Sequence, residues 1–231
     1  CDSAVIFELL ENLVLLENSA DFLFSSAMDW QLKLANDGYG QVAQVAKARD
    51  WPAWAKWQDT AFALTVEPAV LVYHKPSFPD GPPRSRLELL HWLAEAPASL
   101  TGRIGTYDIE QSAVGYLFLA RDAEHFPDIW SLLRVMAAAG LQTFPTSQDI
   151  IDRVADGRLV LGYNILGSYA ADQARLEPDL GLVLLRDFTV VVSRVALVMA
   201  MGLPRTREAL ATLLAGLSNV PFGYEIQQGN R

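Results

Sequence analysis

The fold of this chain is indicated by residues 20–29, ADFLFSSAMD, in which an apolar run stops at two serines and a helical pattern begins. We expect a buried strand over residues 21–24 and a helix over residues 28–36. The N–H groups of a first helical turn and the positive end of the helix dipole favour negative charge. Ser25 and Ser26 are therefore candidate residues for binding an anion.

Two further junctions have the same design. Residues 103–108, RIGTYD, form a short strand that ends in a Gly/Thr/Asp corner before an amphipathic run over 109–123. Residues 159–164, LVLGYN, form a third strand, and the tripeptide GSY at 167–169 opens the next helix. The three corners together suggest one ligand site. Each taken singly is explained by helix capping, with the pairs Ser26/Asp29 and Asp108/Gln111 as capping boxes.

Predicted strands alternate with predicted helices along the chain, which indicates α/β units on mixed or parallel sheets. The predicted helices cover 3–16, 28–36, 87–95, 109–123, 128–139, 146–155, 165–175 and 205–217, and the predicted strands cover 21–24, 61–73, 102–105, 159–163, 180–185 and 189–201. Pro68 indicates a bulge or a sheet edge within the strand 61–73.

This order of elements fits two lobes joined by two crossovers, near residues 73–75 and 187–191. The first lobe is then discontinuous and consists of residues 1–74 and 188–231, whereas the second lobe is residues 75–187. Such a chain has a cleft between its lobes, and loops at the carboxyl ends of strands converge on clefts of this kind.

The composition excludes several classes of protein. The net charge of the 231 residues is −9 and the 18 basic residues are scattered, so nucleic acid is not expected as a partner. The apolar run 188–203 contains Arg194 and is shorter than the ~20 residues that span a bilayer, so it is interpreted as a long buried strand. No signal peptide is visible, which means that one has been removed or never existed.

Cys1 is the single cysteine, so no internal disulfide is possible. It is interpreted either as the lipid-modified end of a bacterial lipoprotein or as a position at which the sequence was cut. Trp51, Trp54 and Trp57 are spaced three apart, which is typical of core packing or of an apolar lobe surface, with stacking on a ligand as a further alternative. Core packing is the default expectation.

Catalytic motifs do not occur in the sequence. It has no Gly-x-Ser-x-Gly elbow, no Cys/His nucleophile arrangement, no phosphate loop and no His-Glu-x-x-His. His74, His91 and His125 are isolated and lack the spacing of metal ligands. We therefore expect neither an enzyme nor a resident metal or cofactor.

Four segments carry a resemblance to a known family. They are SSAMD continuing to KLANDG (25–38), LTVEP with VY (64–73), RIGTYD (103–108), and DG with GYNILGSY (156–169). In this order they resemble the extracellular solute-binding proteins of ABC importers, in the branch usually labelled ferric iron, phosphonate or phosphoglycerate type. The resemblance implies a type II periplasmic-binding-protein fold with two mixed sheets, a hinge of two crossovers, a periplasmic location and a membrane permease as partner.

The ligand implied by the corners and the resemblance is a small anion, such as a phosphonate, a phosphate ester or a carboxylate. Arg103 or Arg194 would add a charged contact, or would form a structural ion pair. The predicted ligand-binding residues are Ser25, Ser26, Thr106, Tyr107, Tyr163, Gly167, Ser168 and Tyr169.

The sequence departs from the family in two respects. Iron-binding relatives have two adjacent tyrosines where this chain has Ile165 and Leu166, so a ferric-iron receptor is the weaker alternative. Both ends of the chain are expected to be short, with the opening strand of the first lobe missing and its sheet edge covered by a homodimer partner or by the chain terminus. A ligand-sensing domain of a signalling protein and an interaction module with a degenerate cleft are further alternatives.

Overall fold

The computed structural model describes residues 22–43, 49, 51–95, 97–199 and 204–217. The helix predicted over residues 3–16 lies outside this part of the chain. The described residues form two compact units, one built from those up to Glu67 and from Val192 onward, and the other from those within Pro68–Val191.

The first unit is built on an antiparallel sheet of four described strands. In chain order these are β1 (Phe22–Ser25), β2 (Lys56–Trp57), β3 (Ala61–Ala63) and β10 (Val195–Val198), and their spatial order is β1-β10-β3-β2. Helix α1 (Met28–Asn36) follows β1, and helix α7 (Pro204–Leu217) follows β10. The pairings among these described strands are all antiparallel.

Alternate residues of β10 pack on opposite faces of this sheet. Ala196 and Val198 join a buried cluster with Leu210 of α7, whereas Val195 and Leu197 join a second cluster with Ala35 of α1. Because successive side chains of a strand point to opposite faces, one sheet is covered by a helix on each side.

The second unit contains a mixed sheet of six strands. These are β4 (Glu67–His74), β5 (Ile104–Tyr107), β6 (Gln142–Phe144), β7 (Leu161–Leu166), β8 (Leu180–Val183) and β9 (Val191–Val192). The order is β6-β5-β7-β4-β8, and β9 also pairs with β4. Strand β5 is parallel to β6 and β7, whereas β4 is antiparallel to β7 and β8.

Five helices cover this sheet. They are α2 (Arg86–Ala94), α3 (Ala113–His125), α4 (Ile129–Ala138), α5 (Ser147–Ala155) and α6 (Gly167–Ala174). The core includes Leu89 of α2, Leu132 and Met136 of α4 and Leu161 of β7, all of them fully buried. The predicted α/β architecture of two sheets with flanking helices is confirmed.

Several predicted elements differ from the structure. The predicted strand 61–73 is two strands, β3 and β4, and the break falls at residues 64–66 and not at Pro68, which is the second residue of β4. The predicted strand 189–201 is likewise divided into β9 and β10. Helix α3 begins at Ala113 and not at 109, because Ser112 caps it and accepts a hydrogen bond from the N–H of Gly115 at 3.2 Å.

The three tryptophans do not share one environment. Trp51 is buried in the first unit and donates from its indole N–H to the carbonyl of Ala63 at 3.1 Å. Trp54 and Trp57 are 67% and 43% exposed, so the prediction that they are core residues is wrong. Residues Ala53–Ala55 form a short 3₁₀ turn, and the buried residue of this turn is Ala55, not Trp54.

Over the described ranges, no helix is long and apolar enough to cross a bilayer.

Candidate functional site

The carboxyl ends of β6, β5 and β7 lie at one edge of the second sheet, because these neighbouring strands are parallel. Each of the three leads into a helix: β6 into α5, β5 into α3 and β7 into α6. We call the residues at these three junctions, 107–112, 144–147 and 166–169, the carboxyl edge. Ligands of open α/β sheets bind at edges of this kind.

Two of the three helices at the carboxyl edge begin with a hydroxyl cap. The Ser112 hydroxyl caps α3, and the Thr146 hydroxyl caps α5 by accepting from the N–H of Asp149 at 3.1 Å. Helix α6 differs, since its N-cap residue is Leu166 and no side chain caps it. The first turn of α6 is therefore the one at which a bound anion would take the place of a capping side chain.

Tyr107 joins the starts of α5 and α6. Its hydroxyl lies 2.5 Å from the Oγ of Ser147 and accepts a hydrogen bond from the N–H of Leu166 at 3.3 Å. The neighbouring Thr106 donates from its hydroxyl to the carbonyl of Tyr163 at 3.1 Å. Thr106 and Tyr107 thus lie at the same edge as the first turn of α6, and these bonds connect both hydroxyls to the protein itself.

Gly167 lies at a point where α6 begins against β4. A Cβ atom at this position would come within 2.8 Å of the carbonyl oxygen of Pro68 and 3.3 Å of Val70 Cγ1. Only glycine permits this approach without displacement of the backbone. Ser168 is half-buried and Tyr169 is exposed, so the first turn of α6 reaches the surface of the unit.

Tyr163 has a different environment from the other predicted ligand residues. Its phenol is buried and donates to Oδ2 of Asp122 at 2.6 Å. Desolvation, followed by the negative charge of Asp122, raises the pKa of this phenol well above its ordinary value. The hydroxyl of Tyr163 is therefore used by an interior carboxylate.

The carboxylate of Asp122 lies at the centre of a buried polar cluster. Arg86 donates to its Oδ1 from Nε at 2.9 Å and lies within 2.8 Å of it through Nη2. Asn164 donates from its side-chain amide to Oδ2 at 2.7 Å. The guanidinium of Arg86 also contacts Asp187 and lies 3.7 Å from the ring centroid of Phe188. We call Arg86, Asp122, Tyr163 and Asn164 the Asp122 cluster.

In the first unit, Ser25 is the last residue of β1, and Ser26 follows it before α1. Ser25 is buried, and its Oγ accepts a hydrogen bond from the N–H of Ala27 at 3.1 Å. The N-cap of α1 is Ala27, and no side chain caps the helix. The capping box predicted for Ser26 and Asp29 is therefore wrong, because the helix begins one residue later than that motif requires.

The first unit also contains polar atoms that the sequence did not single out. Gln31 is 1% exposed, and neither its amide nitrogen nor its amide oxygen has a hydrogen-bond partner. Oδ1 of Asp29 is likewise buried and without a partner. A buried polar atom without a partner costs about 1–3 kcal/mol, so such atoms are rare in native proteins and call for an explanation. A buried glutamine between Ala27 and Ala35 has no signature in the sequence.

Both arginines considered as ligand contacts take part in structural interactions. Nε of Arg194 lies 2.7 Å from Oε1 of the buried Glu67, which agrees with the ion-pair alternative. Arg103 donates from Nη2 to the carbonyl of Gly157 at 2.7 Å. Within the described part of the chain, no group of three His, Cys, Asp or Glu residues could hold a metal ion.

Comparison with known proteins identifies the class to which this architecture corresponds. The chain is similar to the substrate-binding protein of an ABC transporter from Agrobacterium tumefaciens, with 49% identity and a TM-score of 0.85. The match covers 92% of this chain and 63% of that protein. The predicted resemblance to the substrate-binding proteins of ABC transporters is thereby confirmed, over a chain that spans less than two thirds of the matched protein.

Two more distant structures share the fold. The periplasmic binding protein AfuA of Actinobacillus pleuropneumoniae, with exogenous fructose-6-phosphate bound, has 13% identity, a TM-score of 0.75 and coverage of 92% of this chain and 68% of its own. Iron-bound HitA of Pseudomonas aeruginosa has 13% identity, a TM-score of 0.71 and coverage of 93% and 70%. A scan against models of protein families and a search of curated proteins found no match.

Proposed function

We propose that this chain belongs to a receptor that binds a small anionic solute reversibly for an ABC importer. The observation that supports this proposal best is the carboxyl edge, where Tyr107 joins the starts of α5 and α6 by hydrogen bonds and α6 begins without a side-chain cap. Fixed N–H groups of a first helical turn, together with the helix dipole, favour a phosphate, phosphonate or carboxylate group.

In this proposal the second unit binds the anion through the first turn of α6. Gly167 allows the turn to lie close to β4, and Ser168 and Tyr169 supply hydroxyls on a surface that is partly exposed. Thr106 and Tyr107 hold this turn in place through their hydrogen bonds to β7 and α6, so they position the site. Their loss would weaken binding through geometry.

In the first unit, the predicted ligand-binding residues Ser25 and Ser26 lie directly before helix α1. No side chain caps the first turn of α1, so its N–H groups can bind a polar or anionic group.

Ferric iron fits these residues less well. Hard ferric iron binds phenolate or carboxylate oxygens, whereas the positions of the family's tyrosine pair are the buried apolar residues Ile165 and Leu166. The iron-bound relative shares the fold at 13% identity, which says nothing about the ligand of this chain. We therefore retain the anion as the proposed ligand.

The same proposal gives the protein a periplasmic location, a membrane permease as partner and no catalytic activity of its own. It is supported by the similarity to the Agrobacterium substrate-binding protein and by a shared fold with periplasmic binding proteins. A homodimer that covers the edge of the first sheet is a separate proposal, to be measured by light scattering.

The proposed function is tested by titration calorimetry and thermal unfolding with inorganic phosphate, methylphosphonate, fructose 6-phosphate and ferric citrate. We expect the phosphate ester to raise the melting temperature in proportion to RT ln(1 + [L]/Kd). Ser168→Leu should abolish this stabilisation, while the exposed Leu176→Ser serves as the control that retains it. Stabilisation by ferric citrate alone, with a visible tyrosinate–iron band, would overturn the proposal.

A further inference from the structure

We infer that Asn164 is a positioning residue, through which the buried carboxylate of Asp122 fixes the path of β7 into α6. The inference rests on the proposed function only for its consequence on ligand binding. The contacts that support this inference all lie in the second unit. The first of them is an irregularity in the pairing of β7 with β4.

Strand β7 contains a bulge at Tyr163 and Asn164. Val70 pairs with Ile165, whereas Val72 pairs with Gly162, so two residues of β7 lie opposite the single residue Leu71 of β4. Bulges of this kind bend a strand and redirect the residues that follow. Here those residues are Ile165 and Leu166, directly before the first turn of α6.

Asn164 provides the backbone conformation that this bulge needs. Its φ is +57°, in the left-handed region that most residues with a Cβ avoid. Asparagine tolerates this region better than other residues because its short amide can form a local hydrogen bond. The amide of Asn164 instead donates to Asp122 on α3 at 2.7 Å, so the conformation of the strand is tied to a helix of the core.

The acceptor in this interaction is itself held from several directions. Asp122 is fully buried and accepts from Arg86, from the phenol of Tyr163 and from Asn164. Arg86 is 1% exposed and begins α2, which anchors the carboxylate to a second helix. A buried carboxylate with this many donors has one arrangement, since removal of any donor leaves a charge incompletely solvated.

The path from the Asp122 cluster to the carboxyl edge is short. From Asn164 the chain continues through Ile165 to Leu166, whose N–H donates to the phenol of Tyr107. Gly167 then lies against the Pro68 carbonyl with no room for a Cβ atom. The three residues that precede α6, Asn164–Leu166, are thus fixed at both ends. Asn164 is bound to Asp122, and Leu166 is bound to Tyr107.

The experiment compares Asn164→Gly with Met136→Ala in the full chain. Glycine adopts a positive φ without strain, so this variant keeps the bulge available and removes only the amide. Met136 is a fully buried core residue on α4, and its truncation lowers stability without removing a polar partner of Asp122. For both variants we measure hydrogen exchange at the Leu166 amide and the Kd for fructose 6-phosphate. Each variant is measured at the same number of degrees below its own melting temperature.

We expect Asn164→Gly to raise the exchange rate of the Leu166 amide at least tenfold and to raise the Kd at least tenfold, whereas Met136→Ala changes neither by more than twofold. Equal exchange rates in the two variants would overturn the inference. If wild-type protein binds none of the anions tested, the proposed function fails, but the exchange measurement still decides whether Asn164 fixes the start of α6.

Discussion

The phenol oxygen of Tyr107 accepts a hydrogen bond from the backbone N–H of Leu166 across 3.3 Å. This contact joins the last residue of β5 to the last residue of β7 and is completed by the 2.5 Å contact of the same oxygen with Ser147. One hydroxyl therefore fixes the relative positions of two helix starts. Phenylalanine at this position would fill the same space and leave the Leu166 N–H without its partner.

We expect Tyr107→Phe to lower the free energy of unfolding by about 1–3 kcal/mol, because a buried donor loses its acceptor. The Kd for an anionic solute should rise in the same variant. Urea denaturation and titration calorimetry measure the two effects, and Tyr116→Phe, at an exposed position on α3, is the matched control. Unchanged affinity in Tyr107→Phe would show that this phenol does not position the ligand site.

Gly167→Ala should be destabilising although alanine is a good helix former. The added methyl group would lie 2.8 Å from the Pro68 carbonyl oxygen, so the start of α6 must move. We expect a loss of about 1–3 kcal/mol, as for other substitutions that overfill a packed site. Gln148→Ala, at an exposed position in the first turn of α5, is the control. If the Gly167→Ala variant were as stable as the wild type, the close packing of Gly167 against Pro68 would be contradicted.

Gln31→Leu is expected to raise the stability of the protein. Leucine removes two polar atoms that have no partner in the interior, so the free energy of unfolding should rise by about 1 kcal/mol. This corresponds to a melting temperature higher by about 2–4 °C for a chain of this size. Chemical denaturation measures the difference. A variant that loses stability would indicate that Gln31 has a partner in the native protein.

Trp54→Ala tests the environment of the tryptophan-rich segment. Because Trp54 is 67% exposed, its truncation should cost far less than the 3–5 kcal/mol of a buried aromatic residue. Trp51→Ala, at the buried neighbour, is the control and should show the larger cost. Chemical denaturation followed by circular dichroism distinguishes the two. Equal costs would mean that both side chains are buried.

Because the phenol of Tyr163 is buried, we expect the folded protein to lose stability in alkaline solution. Burial raises the pKa of its phenol in the folded protein, whereas in the unfolded chain the phenol titrates near its usual value of about 10. The unfolded state therefore loses its proton first, and the stability that Tyr163 contributes below pH 10 falls as the pH rises above that value. Tyr163→Phe should flatten this dependence between pH 10 and 11. Denaturation midpoints across this range, with Tyr39→Phe as the exposed control, provide the measurement.

Periodicity predicted most elements of the second unit, because strands and helices there follow regular apolar patterns, but β6 (Gln142–Phe144) lies outside every predicted strand. The helix predicted over 146–155 is observed as Ser147–Ala155, and the strand predicted over 159–163 is observed as Leu161–Leu166. The interruption at residues 64–66 was missed because Leu64 and Val66 continue the apolar pattern of their neighbours. Irregular backbone leaves little trace in such patterns.

Of the candidate site, only the residues at the strand–helix junctions could be predicted from the sequence. Gly167 and Ser168 stand out because glycine and serine follow an apolar strand, and Tyr107 follows a strand in the same way. Asp122 gave no signal, since its neighbours Arg121 and Glu124 are exposed charges on the same helix. Its burial depends on Arg86, 36 residues earlier in the chain, and pairing at this distance is decided by tertiary packing.

The position of β10 in the first sheet has a consequence for synthesis on the ribosome. Strand β10 lies between β1 and β3, yet all of residues 68–191 are made before it. The second unit can therefore complete its own sheet before β10 is available to pair with β1. Until then the edges of the strands of the first sheet are unpaired and can pair with other chains. A pause or truncation before Val195 would leave a finished second unit attached to an unfinished first one.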